Sequence, residues 1–111
     1  MPAHPNEIET REASARSAIT RAIGTADDEY GATLFIAHHL EELEPAYWKE
    51  HLSTETPQPH QLLDILKLRS HWGGVDDLDT FDFTLPGQVT DYVISVSFDN
   101  MGRVSGIAME S

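Results

Sequence analysis

Leu78-Asp79-Thr80-Phe81-Asp82-Phe83-Thr84-Leu85-Pro86-Gly87 is the stretch that decides the architecture. Asp79, Phe81, Phe83 and Leu85 fall on one side of an alternating pattern. Leu78, Thr80, Asp82 and Thr84 fall on the other, the period-two signature of a strand with one buried face. Pro86-Gly87 has the chemistry of a type II turn, Pro presetting φ and Gly accepting a positive φ. Beyond it Tyr92, Ile94, Val96 and Phe98 share one face of a second strand, opposite Val93, Ser95 and Ser97. Asp99-Asn100-Met101-Gly102 reads as a hairpin loop, and residues 104–109 as a short third strand interrupted by Gly106. A three-stranded antiparallel meander is therefore expected at the C-terminal end, with Phe81, Phe83, Tyr92 and Phe98 as core candidates.

Upstream of Gly73-Gly74 the period changes to a helical one. Over residues 60–70, Leu62, Leu63, Ile65, Leu66 and Leu68 are apolar around more than half of a helix circumference. That predicts a central, deeply buried helix covering the sheet. Pro45 opens a short helix over 46–52 carrying Tyr47, Trp48 and Leu52. A helix beginning near Asp27 or Asp28 places Tyr30, Leu34, Ala37 or His38, and Leu40 or Leu43 at spacings of three and four. A first helix over 7–23, capped by Asn6 with Glu9 three residues on, carries the stripe Ile8, Ala15, Ala18 or Ile19, Ala22 and Ile23. Its Glu and Arg residues are expected on the solvent side, and Gly24 ends it. The expected fold class is α+β: one domain over 1–111, three to four N-terminal helices packed on a C-terminal three-stranded β-meander.

Charge narrows the function classes. Seven Lys and Arg face nineteen Asp and Glu, a net charge of −12. Glu7, Glu9 and Glu12 cancel Arg11, Arg16 and Arg21, so the excess lies entirely in residues 25–111. Such a surface repels phosphate backbones and anionic lipid and favours basic partners. Nucleic-acid and membrane binding are disfavoured. The absence of cysteine removes disulfides and thiolate chemistry and suits a reducing compartment. With no basic-then-apolar leader and no long apolar run, a cytoplasmic location is expected.

The chemistry-bearing residues form no recognisable catalytic set. His38 and His39 are adjacent and diverge by about 100° on a helix, neither has a His partner at i+4, and either could chelate only weakly with Glu42. Asp76, Asp77, Asp79 and Asp82 do not fit a calcium loop, because Phe81 and Phe83 fall where oxygen ligands belong. Neither a nucleophile elbow nor a glycine-rich phosphate loop is present. The expectation is a chain without catalytic, metal or cofactor sites. Trp48 and Trp72, at the ends of elements, are either closures of a small core or interface anchors.

Ser70-His71-Trp72-Gly73, Phe81-Asp82-Phe83-Thr84-Leu85-Pro86, the run from Tyr92 to Asp99 and the ending Met109-Glu110-Ser111 resemble an uncharacterised family of small bacterial proteins, a domain of unknown function. The stretch from Ala37 to Leu43, with Tyr47-Trp48, is similar to it too, so the resemblance covers about residues 30–111. In size, acidity and lack of catalytic motifs the chain is also similar to immunity proteins, which bind and block a partner toxin. What this implies is a non-catalytic inhibitor that meets a basic, nuclease-like toxin through an acidic surface.

The partner-binding candidates are Glu41, Glu42 and Glu44 at the end of the second helix, with Trp72, Asp76, Asp77 and Asp79 before the sheet. Two alternatives stand beside this reading. One is a regulatory or structural subunit, including a homodimer paired through the edge strand that contains Gly106. The other is a metal-dependent protein using His38, His39 or His71.

Overall fold

The structure, a computed structural model, describes residues 5–74 and 77–111, with side chains from residue 7 onward. Helix α1 (Pro5–Ala22) is followed by a 3-10 turn (Ala26–Asp28), α2 (Ala32–Glu42), α3 (Pro45–Leu52) and α4 (Pro59–Leu63). The strands are β1 (Lys67–Trp72), β2 (Thr80–Thr84), β3 (Val93–Phe98) and β4 (Val104–Glu110). They form one antiparallel sheet in the order β1-β2-β3-β4. The fold is α+β, with the helices N-terminal. Among the described residues no helix is long and apolar enough to cross a membrane.

Four strands stand where three are expected, and the extra one replaces most of the expected helix over 60–70. Only Pro59–Leu63 is helical, opened by a capping box in which Gln58 and Gln61 satisfy each other's ends. Leu62 and Leu66 are buried, as the helical reading requires, but from Lys67 the chain pairs with β2. A bulge between Leu68 and Ser70 explains the ambiguity. Leu68 lies opposite Phe83 and His71 opposite Phe81, so two residues three apart share the core face. A bulge thereby imitates the spacing of a helix.

The cover of the sheet comes from α1 and α2, which pack against β4, α2 reaching β3 as well. Their stripes meet Phe81, Phe83, Ile94, Val96 and Phe98 in one core, to which Ala15, Ile19, Phe35, Ile36 and Trp48 belong. Trp48 is thus a core residue. Tyr92, expected in the core, is 38% exposed, because it lies in the β2–β3 loop before the strand begins. Helix α1 starts at Pro5, which puts Asn6 inside the helix instead of at its cap.

The arginines of α1 do more than neutralise neighbours. Arg11 lies over the Phe98 ring at 5.1 Å and donates to the Leu78 carbonyl at 3.3 Å. Arg16 lies over Phe83 at 5.0 Å, donates to the Leu66 carbonyl at 2.8 Å and pairs with Glu12 at 2.9 Å. Each guanidinium joins a cation–π contact to a backbone bond, tying α1 to the sheet's helix-covered face.

Helix α2 begins against β4 through a close approach. Buried Asp28 accepts from the Ala32 amide at 3.2 Å, the Thr33 amide at 2.7 Å and the Thr33 hydroxyl at 2.9 Å. These are first-turn donors that would otherwise lack partners. Gly31 is wedged between that carboxylate and the Ile107 carbonyl of β4, with no room for a β-carbon.

Candidate functional site

Glu41, Glu42 and Glu44 are exposed, the first two in the last turn of α2 and Glu44 immediately before α3. They stand beside the β2–β3 loop, where His39 meets Thr90 and the Tyr47 hydroxyl donates to the Pro86 carbonyl at 2.7 Å. Trp72, Asp77 and Asp79 lie at the opposite end of β2: Trp72 pairs with Thr80, and the Phe98 amide donates to the Asp79 carbonyl at 2.8 Å. The five residues of β2 separate the two groups, a span of about 16 Å at strand rise. Asp76 lies outside the described residues. The expected acidic surface is therefore two surfaces.

Asp77 and Asp79 shape their turn. The Asp77 carbonyl accepts from His71 Nδ1 at 2.8 Å, and the His71 ring stacks on Phe81 at 5.2 Å. Gly73 and Gly74 have φ of +91° and +73°, and a β-carbon on Gly74 would meet the Asp79 carboxylate at 2.7 Å. The turn thus needs both glycines, for conformation and for clearance.

The second helix presents an unexpected face. Its buried stripe is Ala32, Phe35, Ile36 and His39. The stripe picked out by spacing divides: Leu40 and Leu43 pack against the core, but Tyr30 is 75% exposed and Leu34 40%, with Ala37 open and His38 half-buried. The His38 ring meets Tyr92 at 5.3 Å, extending this apolar strip onto the β2–β3 loop. Glu29, Glu41, Glu42 and Asp91, all exposed, are neighbours of its members in the chain or on the helix.

His39, in contrast, is structural. Its Nδ1 donates to the Phe35 carbonyl at 2.6 Å, which leaves Nε2 to accept from the Thr90 hydroxyl at 2.8 Å. Thr90 accepts in turn from the Tyr92 amide at 3.2 Å. With both ring nitrogens engaged, His39 pins the β2–β3 loop to α2. Burial pushes its pKa down from 6.5 and nearby His38 adds to this, against the Phe35 carbonyl and Glu42, which raise it. The neutral ring is therefore the folded form. The stability it contributes is complete above the unfolded-state value of 6.5 and is lost as the pH falls from there through the lowered folded-state value. Thermal melts from pH 7.5 to 5 should show a declining midpoint that flattens in His39→Gln. An unchanged slope in that variant would remove His39 as the titrating group.

A second arrangement, missed in the sequence, lies on the sheet face away from the helices. The Trp72 indole Nε1 donates to Asp82 Oδ2 at 3.0 Å and the Ser95 hydroxyl to Asp82 Oδ1 at 2.6 Å. The trough around them, bounded by Arg69, Asp91 and Glu110, holds about 630 Å³. Only the alternation placing Asp82 and Ser95 on one face hinted at it, and their partner Trp72 sits on a strand read as helix. Among the described residues no three His, Asp or Glu side chains converge as a metal site.

Comparison with protein-family models, with curated proteins and with solved structures returns no match in any of the three.

Proposed function

We propose that the protein is a non-catalytic binding protein that engages a basic protein partner through the outward face of α2, in the manner of an immunity-type inhibitor of a bacterial toxin. The observation that carries this reading is the strip of exposed Tyr30, Leu34 and Tyr92, joined by half-buried His38, beside Glu29, Glu41, Glu42 and Asp91. Helix α2 already has a complete buried stripe, so folding makes no use of this second one. Contiguous apolar surface with a polar rim marks interaction sites. Aromatic anchors supply the affinity of such sites, and charge on the rim mainly the rate of encounter. A net charge of −12 steers toward a basic surface, such as a nuclease cleft built to hold phosphate. The resemblance to immunity proteins in size and acidity supports the same reading.

The test begins with affinity capture from the native cell, followed by kinetics on the captured protein. Leu34→Ser and Tyr30→Ser, both surface changes, should each weaken binding at least tenfold, chiefly through faster dissociation. Glu41→Lys should instead slow association and reduce its salt dependence. A captured partner indifferent to all three substitutions would sink the proposal. So would light scattering showing that the strip is covered by a second copy of this chain.

A further inference from the structure

The trough on the uncovered face of the sheet is built differently from the α2 strip and stands or falls separately from it. Its floor includes two cross-strand rows, Ser70-Asp82-Ser95-Ala108 and Trp72-Thr80-Ser97. Apart from Trp72 these are small side chains. The indole is held at its polar edge. Its N–H reaches Asp82, two residues along β2 from its own pairing partner Thr80. Thr80 is only 8% exposed although no helix covers that side. The ring is thus tethered by its N–H edge on the uncovered face and remains 53% exposed. Its polar edge is spent on Asp82, and Ser95 fixes that carboxylate from the other side.

A half-exposed indole whose one donor is already engaged offers an incoming group its negative π-face. Trp is the strongest aromatic partner for a cation, and a planar guanidinium stacks on it while an ammonium does not. The charged lining is three carboxylates, Asp82, Asp91 and Glu110, against the single guanidinium of Arg69. The volume of about 630 Å³ lies within the usual range of ligand sites, roughly 300–1,000 Å³, and exceeds what one guanidinium group fills. We infer that this trough binds an extended peptide segment through an arginine side chain stacked on Trp72, with the flanking peptide lying toward Asp91 and Glu110.

The protein carries its own internal reference for the test. Of its two tryptophans, Trp48 is 2% exposed with an Nε1 that has no hydrogen-bond partner among the described residues, whereas Trp72 is half-exposed and bonded to Asp82. The two indole N–H signals of the ¹⁵N-labelled protein, assigned with Trp72→Phe, can be followed during titration. The probes are a capped Ala-Arg-Ala-Arg-Ala peptide and its citrulline and lysine counterparts. The arginine peptide is expected to move the Trp72 signal saturably and leave Trp48 in place, with the lysine peptide at least fivefold weaker and the citrulline peptide without effect. Asp82→Asn, followed by the Trp72 signal, and Trp72→Ala, followed by titration calorimetry, each checked for folding by the Trp48 signal, should weaken the arginine peptide at least tenfold. Equal binding of the citrulline peptide would replace the cation by neutral hydrogen bonding, and equal binding of the lysine peptide would replace stacking by bare charge. Either result, or no movement of Trp72 at millimolar arginine peptide, overturns the assignment.

Discussion

Gly31→Ala should lower the stability of the protein by about 3 kcal/mol, read as a fall of about 10–15 °C in melting temperature. The added β-carbon would overlap Asp28 Oδ1 and lie 3.0 Å from the Ile107 carbonyl. Asp28 cannot swing aside freely, because its carboxylate accepts from the Ala32 amide, the Thr33 amide and the Thr33 hydroxyl. Nor can β4 withdraw without opening its contact with α2. Relief therefore costs a helix-capping interaction, about 0.5–2 kcal/mol, together with buried donors left unpaired at about 1–3 kcal/mol. Gly106→Ala is the matched control. Among the described residues no atom lies within 4 Å of its β-carbon position, so it should melt within about 2 °C of the parent protein. A Gly31→Ala protein as stable as the control would show that α2 and β4 approach less closely than described.

Phe83→Ala should cost about 3–5 kcal/mol in urea unfolding, the range for deleting a fully buried aromatic ring. Phe83 has no exposed surface and lies in the middle of β2, with Arg16 over its ring at 5.0 Å. The cavity would undercut the only strand that pairs with both β1 and β3, and it would strand the Arg16 guanidinium, leaving it the Leu66 carbonyl and Glu12. Since whole domains are stable by about 5–15 kcal/mol, the variant should be partly unfolded near 40 °C. Phe83→Leu, which keeps most of the volume, should recover more than half of the loss. Equal losses for Ala and Leu would assign the effect to the cation–π contact.

The meander could be read from the sequence because alternation there is uninterrupted: Phe81 and Phe83, then Ile94, Val96 and Phe98, occupy the buried face that period two assigns them. Helices α1 and α3 were equally legible, the first from its apolar stripe and the second from Pro45. Strand β1 was not. Its bulge at Arg69 puts Leu68 and His71 on one face at a helical interval, and the apolar run 62–66 before it continues the same period. The stripe found by spacing in α2 mixes two faces, its Leu40 and Leu43 packing on the core and its Tyr30 and Leu34 exposed, since Tyr30-Leu34-His38 and Ala32-Phe35-Ile36-His39 are both apolar by local measure. Which one is buried depends on Gly31 meeting β4, a contact between residues far apart in the chain. Glu41, Glu42 and Glu44 were legible as an exposed group. Their separation from Trp72, Asp77 and Asp79 was not, because it follows from the length and register of β2. The Trp72-Asp82-Ser95 arrangement required β1 to be recognised as a strand.

The first helix and the last strand rest on each other, and this dictates how the chain can mature during synthesis. The β1–β2 and β2–β3 hairpins are joined by short connections and can pair as soon as they emerge. The faces of α1 and α2 that rest on β4 have no counterpart until residues 104–110 have been made. Translation adds roughly 5–20 residues per second, so apolar helix faces made early wait several seconds for their seat. During that interval a nascent chain is a natural client for a holding chaperone, and release should follow the arrival of β4.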